Sequence, residues 1–278
     1  MIEIQSLSKK FNDFTAVNNV DLSIESGEFI GILGPNGAGK TTIIKILTGL
    51  LKPTSGNIYI NGSLMSRNNK KIKGIMGIVP QYSNLDKELT VYENLVFAAK
   101  LFKVDNYKDK INELLEFVEL SDFKDRIVTN LSGGMARRLT IAKALINDPD
   151  IIILDEPTVG IDLNGRRKIW DILKYMKAKN KTVLLTTHYI EEAENLCSRV
   201  CLIDKGAIIQ DSTPDSFKKQ LGIYTVEYFD EEAKTIYKFF DSKIEAINYS
   251  AGIESLNYTI RDTTLEDVFY NFTNRKVL

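Results

Sequence analysis

Cysteine is scarce in this sequence, which has two among 278 residues, and histidine and tryptophan occur once each. Two cysteines cannot form a disulfide framework, so we expect the chain to work in a reducing, cytosolic compartment. Cys197 and Cys201 lie close together in the sequence, but two ligands do not make a metal site. We expect both side chains to be buried thiols of the core.

An excess of charge of one sign is also missing. The chain has 36 Lys and Arg against 37 Asp and Glu, which gives a formal net charge of −1. Proteins that bind nucleic acid normally show a basic excess or a basic patch. The composition therefore gives no reason to expect a nucleic-acid partner.

Long hydrophobic runs are absent as well. No uninterrupted apolar run approaches the roughly 18 residues that suggest a membrane-spanning helix. The first ten residues, Met1–Lys10, have no apolar stretch behind them of the kind that marks a secretory signal. We expect that the chain does not cross a bilayer by itself, and that any membrane role depends on a partner.

Short apolar runs alternate with stretches of helical periodicity. The apolar run Phe29–Leu33 is followed by a glycine-rich turn and by the helix-periodic stretch Thr41–Leu51. The run Ile151–Leu154 is wholly apolar, as in a strand that is buried on both faces of a parallel sheet. This alternation predicts an α/β fold with a mostly parallel sheet and helices on its faces.

The pattern changes after about Leu221. Strands are predicted at Thr225–Tyr228, Ala246–Tyr249 and Leu256–Ile260, with helical stretches between them. We interpret residues 222–278 as a small α+β accessory domain that follows a main domain of residues 1–221.

Residues Gly34–Thr41 fit the phosphate-binding loop pattern, in which two glycines flank four residues and Lys and Thr follow. Glycines let backbone N–H groups approach phosphate oxygens, and the N-terminus of the following helix carries partial positive charge. Lys40 supplies a charge for the β- and γ-phosphates, Thr41 a hydroxyl for Mg²⁺, and Thr42 reaches the α-phosphate. The residues assigned to the nucleotide are Gly34, Asn36, Gly37, Ala38, Gly39, Lys40, Thr41 and Thr42. Alone, the motif does not distinguish a kinase, GTPase, helicase or transporter.

Two acids follow the apolar strand Ile151–Leu154. Open α/β sheets bind ligands at the carboxyl ends of their strands. Asp155 is placed to hold Mg²⁺, directly or through water. Glu156 is the candidate general base that polarises the attacking water.

The segment Leu131–Met135 precedes a helix predicted to run to about Ile146, and Ser132 is placed to cap that helix. Taken alone, the segment predicts only a capped helix with glycines for close packing. Its spacing from the other motifs changes this interpretation.

The motifs together resemble the ATP-binding cassette (ABC) family, and the resemblance covers about Ile2 to Leu221. The residues that carry it are Gly34–Thr42, Gln81, Leu131–Gly134, Asp155–Glu156, Gly160–Asp162 and His188. It implies a P-loop NTPase core with a mostly parallel sheet, an antiparallel β subdomain and a helical subdomain at about residues 82–147.

The resemblance also implies roles that one chain cannot fill. In this family the LSGG segment completes the nucleotide site of the opposite subunit, so two ATP molecules lie in a head-to-tail dimer. Ser132, Gly133 and Gly134 would then bind the partner's ATP, with Ser132 and Gly134 on its γ-phosphate. Asp162 resembles the residue that communicates across the dimer.

Two further residues are implied to be catalytic. Gln81 resembles the residue that senses Mg²⁺ or water and links the site to the membrane partner. His188, the only histidine, resembles the switch residue that contacts the γ-phosphate and orients the base and the water. An imidazole suits this role because it donates one hydrogen bond while it accepts another.

Some positions depart from the family pattern. Phe11 stands where an aromatic ring, commonly Tyr, stacks on adenine. Phe14 is a competing candidate, and a core phenylalanine is the plain alternative. Met135 replaces the common Gln and Leu163 a common Pro, but neither change removes a needed charge or donor.

The resemblance implies ATP and Mg²⁺ as ligands and two kinds of partner. One is a second copy or a similar cassette, and the other is a separate integral membrane permease. The segments 188–194 and 264–269 resemble those of exporter-type cassettes that pair with separate permeases. Through the permease, we expect the chain to be cytoplasmic and peripheral at the inner face of the cell membrane. A soluble ABC ATPase acting on nucleic acid or ribosomes, or a regulatory subunit without turnover, are the alternatives.

Overall fold

A computed structural model describes residues 1–230, 232–253 and 257–273. The strands, in chain order, are β1 (Ile2–Phe11), β2 (Phe14–Ile24), β3 (Phe29–Leu33), β4 (Ser55–Ile60), β5 (Ser63–Leu64), β6 (Met76–Val79), β7 (Ile151–Asp155), β8 (Thr182–Thr187), β9 (Arg199–Asp204), β10 (Ala207–Ser212), β11 (Tyr224–Phe229), β12 (Thr235–Phe240) and β13 (Tyr258–Asp262). The helices are α1 (Lys40–Leu47), α2 (Lys70–Gly74), α3 (Val91–Phe102), α4 (Tyr107–Phe117), α5 (Gly133–Ala144), α6 (Leu163–Ala178), α7 (Ile190–Leu196), α8 (Pro214–Leu221), α9 (Lys243–Ser250) and α10 (Leu265–Thr273).

The main sheet has six strands in the order β10-β9-β3-β8-β7-β6, and all of its pairs are parallel except β10 with β9. Every residue of β3, β7 and β8 is buried, as expected of strands covered on both faces. The carboxyl ends of β3, β7 and β8 lie side by side, since Leu33 pairs with Thr187 and Asp155 pairs with Thr186. This edge carries the phosphate loop and the two acids.

A second, antiparallel sheet has the order β2-β1-β4-β5. Its inward side chains share one hydrophobic cluster with α1 and one face of the main sheet, as with Ile4, Leu47 and Ile153. Residues Phe11 and Phe14 pair at the tip of the β1–β2 hairpin. The packing of this sheet holds that hairpin beside the start of α1.

Helices α3, α4 and α5 pack on one another between β6 and β7 in the sequence. Helix α3 begins with a capping box, because Thr90 accepts from the N–H of Glu93 and the Glu93 carboxylate accepts from the N–H of Thr90. Their apolar side chains join the cluster on the other face of the main sheet, together with Trp170 of α6.

Three antiparallel strands in the order β12-β11-β13 follow the main sheet. The strand predicted at Ala246–Tyr249 is wrong, because these residues belong to α9. Ser242 caps this helix, and Ala246 and Ser250, one turn apart, are its buried residues, so helical spacing rather than alternation decides the burial. The strand β12 was not predicted. Leu256, where the third predicted strand begins, lies outside the described residues.

Helix α10 returns from these strands to the main core. Leu265, Val268 and Phe269 are fully buried in the cluster that also contains Leu196 of α7 and Phe217 of α8. The backbone N–H of Leu265 donates to Oε1 of Glu194 at 3.1 Å. Because the last helix packs on the main core, the division into residues 1–221 and 222–278 stays a prediction.

Two smaller findings bear on the sequence analysis. Cys197 and Cys201 are buried, free thiols, and burial raises the pKa of both above its usual value, so the expectation of core thiols is confirmed. Across residues 1–230, 232–253 and 257–273, no helix has the length and apolar character needed to span a membrane.

Candidate nucleotide-binding site

The phosphate loop connects β3 to α1. Gly37 and Gly39 have φ angles of 82° and 108°, and a Cβ on Gly39 would lie 2.5 Å from the carbonyl oxygen of Ala16. Glycine is therefore required at Gly39 for both conformation and space. No side chain caps α1, so its first N–H groups are free to bind an anion.

The Lys40 side chain points back into this loop. Its Nζ donates to the carbonyl oxygens of Gly34 at 2.7 Å and Pro35 at 3.0 Å. It also lies 3.2 Å from Oε1 of Glu156. Burial lowers the pKa of Lys40, and the negative charge of Glu156 opposes that shift. The charge that the sequence assigns to phosphate is thus held by the loop and by the candidate base.

Asp155 ends β7 and is almost completely buried. Its Oδ1 accepts from the hydroxyl of Thr186 at 2.6 Å and from that of Thr41 at 3.3 Å. The second bond brings the first turn of α1 to the end of β7. A hydroxyl and a carboxylate side by side are the oxygen ligands that Mg²⁺ prefers.

Glu156 has a φ angle of 47°, which is uncommon for a residue other than glycine and is typical of functional sites. Its N–H donates to the carbonyl oxygen of Thr186 at 3.1 Å. Its Oε2 accepts from Nε2 of Gln81 at 3.2 Å. Nδ1 of His188 lies 3.3 Å from Oε1, but the two groups are not aligned for a hydrogen bond, and this nitrogen has no partner. The carboxylate is thus the meeting point of Lys40, Gln81 and His188.

A cavity of about 400 Å³ opens beside these groups. Its lining residues are Phe11, Phe14, Ala16, Asn36, Gly37, Gly39, Lys40, Thr41, Thr42, Gln81 and Glu156. The Phe11 and Phe14 side chains are 45% and 62% exposed, so neither is a core residue. Both rings are available to stack on a base, and Lys9 already lies 5.0 Å from the ring centre of Phe11.

Other predicted site residues lie next to the cavity without lining it. Gly34 contributes its carbonyl oxygen to Lys40. Ala38 turns its side chain into the core, and its carbonyl oxygen accepts from the N–H of Gly206 at 2.9 Å. His188 lies against Glu156, and Asp155 accepts a hydrogen bond from Thr41. Glu156 and Thr41 both line the cavity.

The LSGG segment is not brought to this cavity. Ser132 caps α5 by accepting from the N–H of Met135 at 3.3 Å, and Asp162 caps α6 by accepting from the N–H of Gly165 at 2.8 Å. A Cβ on Gly134 would lie 3.7 Å from Cα of Gly165, so the two helix starts pack side by side. Ser132, Gly133 and Asp162 are exposed. These three residues are open to solvent and do not line the cavity beside their own phosphate loop.

Arg137 is a site residue that the sequence analysis missed. Its guanidinium is buried and donates to carbonyl oxygens of Pro157 at 2.7 Å, Asp155 at 3.0 Å and Glu156 at 3.1 Å. It also donates to that of Pro80, the residue before Gln81. Burial lowers the pKa of Arg137 to about 10, although nearby Asp155 opposes the shift. The available signal in the sequence was a pair of adjacent arginines, Arg137 and Arg138, before the mostly apolar second half of the helix.

The chain is similar to several known proteins. Residues 17–159 match the family described as ABC transporter, a match that includes the phosphate loop, Ser132 and Glu156 and ends before His188. Nod factor export ATP-binding protein I of Cupriavidus pinatubonensis is 37% identical over 298 aligned positions, covering 100% of this chain and 92% of the relative.

Two solved structures share the fold. A dimeric ATP-binding cassette in a post-hydrolysis state bound to ADP and Pi has a TM-score of 0.69 at 32% identity, covering 77% of this chain and 98% of that one. An ATP-binding subunit of an ABC transporter has a TM-score of 0.72 at 28% identity, covering 79% of this chain and 92% of that one.

Proposed function

The chain belongs to the ABC transporter family, and from this premise we propose that it powers export by a separate integral membrane permease. It is an ATP-binding subunit of that family and hydrolyses ATP. The predicted fold, an α/β ABC ATPase core with a small C-terminal α+β appendage, is confirmed.

The observation that carries the mechanism is that Lys40, Gln81 and His188 all lie against the carboxylate of Glu156. A water molecule attacks the γ-phosphorus, Glu156 takes its proton, and the bond to the β-phosphate oxygen breaks to give ADP and phosphate. Lys40 moves from Glu156 to the β- and γ-phosphates, which frees the carboxylate to act on the water. Gln81 and His188 keep the carboxylate and the water in line, and His188 also contacts the γ-phosphate.

The oxygen donors at this site fit Mg²⁺. Thr41, Asp155 and Gln81 would hold the ion, which when bound neutralises the developing charge on the phosphates. Among the described residues, no three His, Cys, Asp or Glu side chains form a group that could hold a metal alone. This agrees with an ion that the nucleotide phosphates help to bind.

The second cassette is a further copy of this chain or a similar subunit. Ser132, Gly133 and Gly134 are proposed to bind the γ-phosphate side of the partner's ATP, and Asp162 to contact the partner. Ser132, Gly133 and Asp162 are exposed, and none of the four residues lines the cavity of its own subunit, which supports this arrangement. The similar cassette structure described as dimeric supports it as well.

An exposed apolar surface near Gln81 is proposed to contact the permease. Tyr82 is 83% exposed, and Phe97 and Leu101 on α3 are 60% and 69% exposed. Asn94, on the same helix, accepts from the N–H of Asp86 at 2.9 Å, which ties the loop after Gln81 to α3. A movement of Gln81 at the nucleotide would therefore be transmitted along this loop to the exposed apolar surface on α3. Such contact would place the chain at the inner face of the membrane.

The direction of transport follows from the relative, whose name states export. The segments 188–194 and 264–269 support the same assignment. The name also favours transport over action on nucleic acid or ribosomes. The cassette itself does not identify the cargo.

The test of the proposed function has two parts. In the first, Glu156→Gln should bind ATP but release phosphate about a hundredfold more slowly, because an amide cannot take the proton. Glu191→Gln, which changes an exposed acid on α7, is the matched control. Unchanged turnover in Glu156→Gln would refute the role of that residue.

The second part identifies the partner. The tagged chain, expressed at native levels and extracted in mild detergent, should co-purify with an integral membrane protein. Phe97→Glu places a charge on the exposed apolar surface of this chain that is proposed to contact the permease. This variant should no longer co-purify with the membrane protein, while its ATPase turnover in solution should remain. Co-sedimentation with ribosomes, with no membrane protein recovered, would overturn the proposal.

A further inference from the structure

Glu192 is a fully buried carboxylate on α7, at the back of the catalytic site. Its Oε1 accepts from the hydroxyl of Thr158 at 2.9 Å and from Nε1 of Trp170 at 3.2 Å. Thr158 lies two residues after Glu156, and α7 begins two residues after His188. Glu192 therefore joins the segment that carries the base to the segment that carries the switch histidine.

The other oxygen of this carboxylate, Oε2, makes no hydrogen bond of ordinary length and angle, although the hydroxyl of Thr187 lies near enough to stabilise the carboxylate. Among the described residues, four buried side-chain atoms lack a hydrogen bond, and three of them are Oε2 of Glu192, Nε of Arg166 and Nδ1 of His188. An unpaired buried polar atom destabilises the fold, because it loses its hydrogen bonds to water and gains none in return. Such atoms are uncommon in folded proteins, so three around one site need an explanation.

Two of these atoms are complementary, since Nε of Arg166 is a donor and Oε2 of Glu192 is an acceptor. The guanidinium of Arg166 lies over the ring of Tyr189, 4.2 Å from its centre. Burial raises the pKa of Glu192. Hydrogen bonding from Thr187, Thr158 and Trp170 opposes this shift, and the charge of Arg166 opposes it less strongly. Arg166 is therefore close enough to act on Glu192 electrostatically, although the two do not form a hydrogen bond.

Arg166 also belongs to the turn that begins at Asp162, the residue proposed above to contact the partner subunit. Its backbone N–H donates to the carbonyl oxygen of Asp162 at 2.9 Å, within the first turn of α6. Tyr189, which its guanidinium covers, directly follows His188. A shift of this turn would move Arg166 relative to Glu192 and would displace His188 at the same time.

We propose that Arg166 and Glu192 are positioning residues that lock His188 against Glu156 when two cassettes close on ATP. Contact at Asp162 shifts the first turn of α6, and Nε of Arg166 then donates to Oε2 of Glu192. The same movement carries Tyr189 and turns Nδ1 of His188 into line with Glu156. This inference rests on the proposed dimeric mechanism.

Glu192→Gln tests the lock. Glutamine keeps one carbonyl oxygen for Thr158 and Trp170 but replaces Oε2 with an NH₂ group, which cannot accept a hydrogen bond from Arg166. The expected result is a kcat lower by about tenfold to a hundredfold, with the KM for ATP within about twofold of wild type. The melting temperature should stay close to that of wild type, because the hydrogen bonds from Thr158 and Trp170 are retained.

A double-mutant cycle separates positioning from a structural role. In the background of His188→Ala, Glu192→Gln should cause no further loss of kcat, since the residue acts through His188. An equal loss in both backgrounds, or a wild-type kcat in Glu192→Gln, would overturn the proposal.

Arg166→Gln provides the second test, and it decides the matter if Glu192→Gln does not fold. Arg166→Gln should lower kcat to a similar extent. In the His188→Ala background it should cause no further loss of kcat. Arg167→Gln, on the exposed side of the same turn, is the matched control and should retain wild-type turnover. A wild-type kcat in Arg166→Gln would count against the lock. Absence of turnover in the wild-type chain would instead contradict the proposed function, so the two failures are distinguishable.

Discussion

Lys40 and Glu156 form a buried ion pair, with 3.2 Å between Nζ and Oε1 and side-chain exposures of 4% and 6%. The sequence assigns one residue to the phosphates and the other to the attacking water. In the structure each neutralises the other. Because a triphosphate competes for Lys40, nucleotide binding would itself release the base, and the carboxylate would stay masked until substrate arrives.

Lys40→Ala should weaken ATP binding by about tenfold to a hundredfold, because it removes a charged hydrogen-bond donor to phosphate. Binding is measured by isothermal titration calorimetry with Mg-ATP. Lys45→Ala, which removes an exposed lysine from the last turn of α1, should bind as wild type does. Tight ATP binding by Lys40→Ala would contradict the phosphate-loop assignment.

Phe11→Ala should lower the affinity for ATP more than Phe14→Ala does. Stacking of a base on an aromatic ring contributes about 1–3 kcal/mol, so roughly a tenfold loss is expected at Phe11. Inorganic tripolyphosphate, which has no base, should bind both variants equally well. A larger effect at Phe14 would transfer the stacking role to that residue.

Arg137→Lys should destabilise the fold by about 2 kcal/mol or more, because one ammonium cannot replace a guanidinium that serves four carbonyl oxygens. Urea unfolding measures the loss, and turnover should fall with it, since these carbonyls position Gln81 and Glu156. Arg167→Lys, on the exposed face of α6, is the control. Equal stability of the two variants would show that the buried hydrogen bonds are dispensable.

Phe269→Ala should cost about 3–5 kcal/mol, as expected for a large ring removed from a packed core. The ring is fully buried where α10 joins α7 and α8. Phe272→Ala changes an exposed ring on the same helix and should have little effect on thermal unfolding. A small effect at Phe269 would mean that α10 detaches from the main core easily.

The features that could be predicted from the sequence are those that local chemistry decides. The turn at Gly37 and Gly39 needs positive φ angles, and a wholly apolar run such as Phe29–Leu33 has few uses other than a buried strand. These signals depend on neighbouring residues only. The roles predicted for the site residues stay predictions, although most of them lie around Glu156 and the cavity beside it.

The features that could not be predicted from the sequence are those that long-range packing decides. The stretch Ala246–Tyr249 is mostly apolar, as a short strand is, but the Ser242 cap and the packing of Ala246 against the three-stranded sheet decide that it is helical. Arg137 and Glu192 are polar residues in helices, and only the fold shows that one meets four carbonyl oxygens and the other is fully buried.

The sequence by itself determined the α/β class, the phosphate loop and the order of the acids, because a glycine turn and a buried strand are local properties of the chain. Only the tertiary structure decided that Lys40 pairs with Glu156, that Ser132 lies outside its own nucleotide cavity, and that α10 packs against α7. These contacts join residues far apart in the sequence. They depend on how whole elements pack, which no local pattern of side chains specifies.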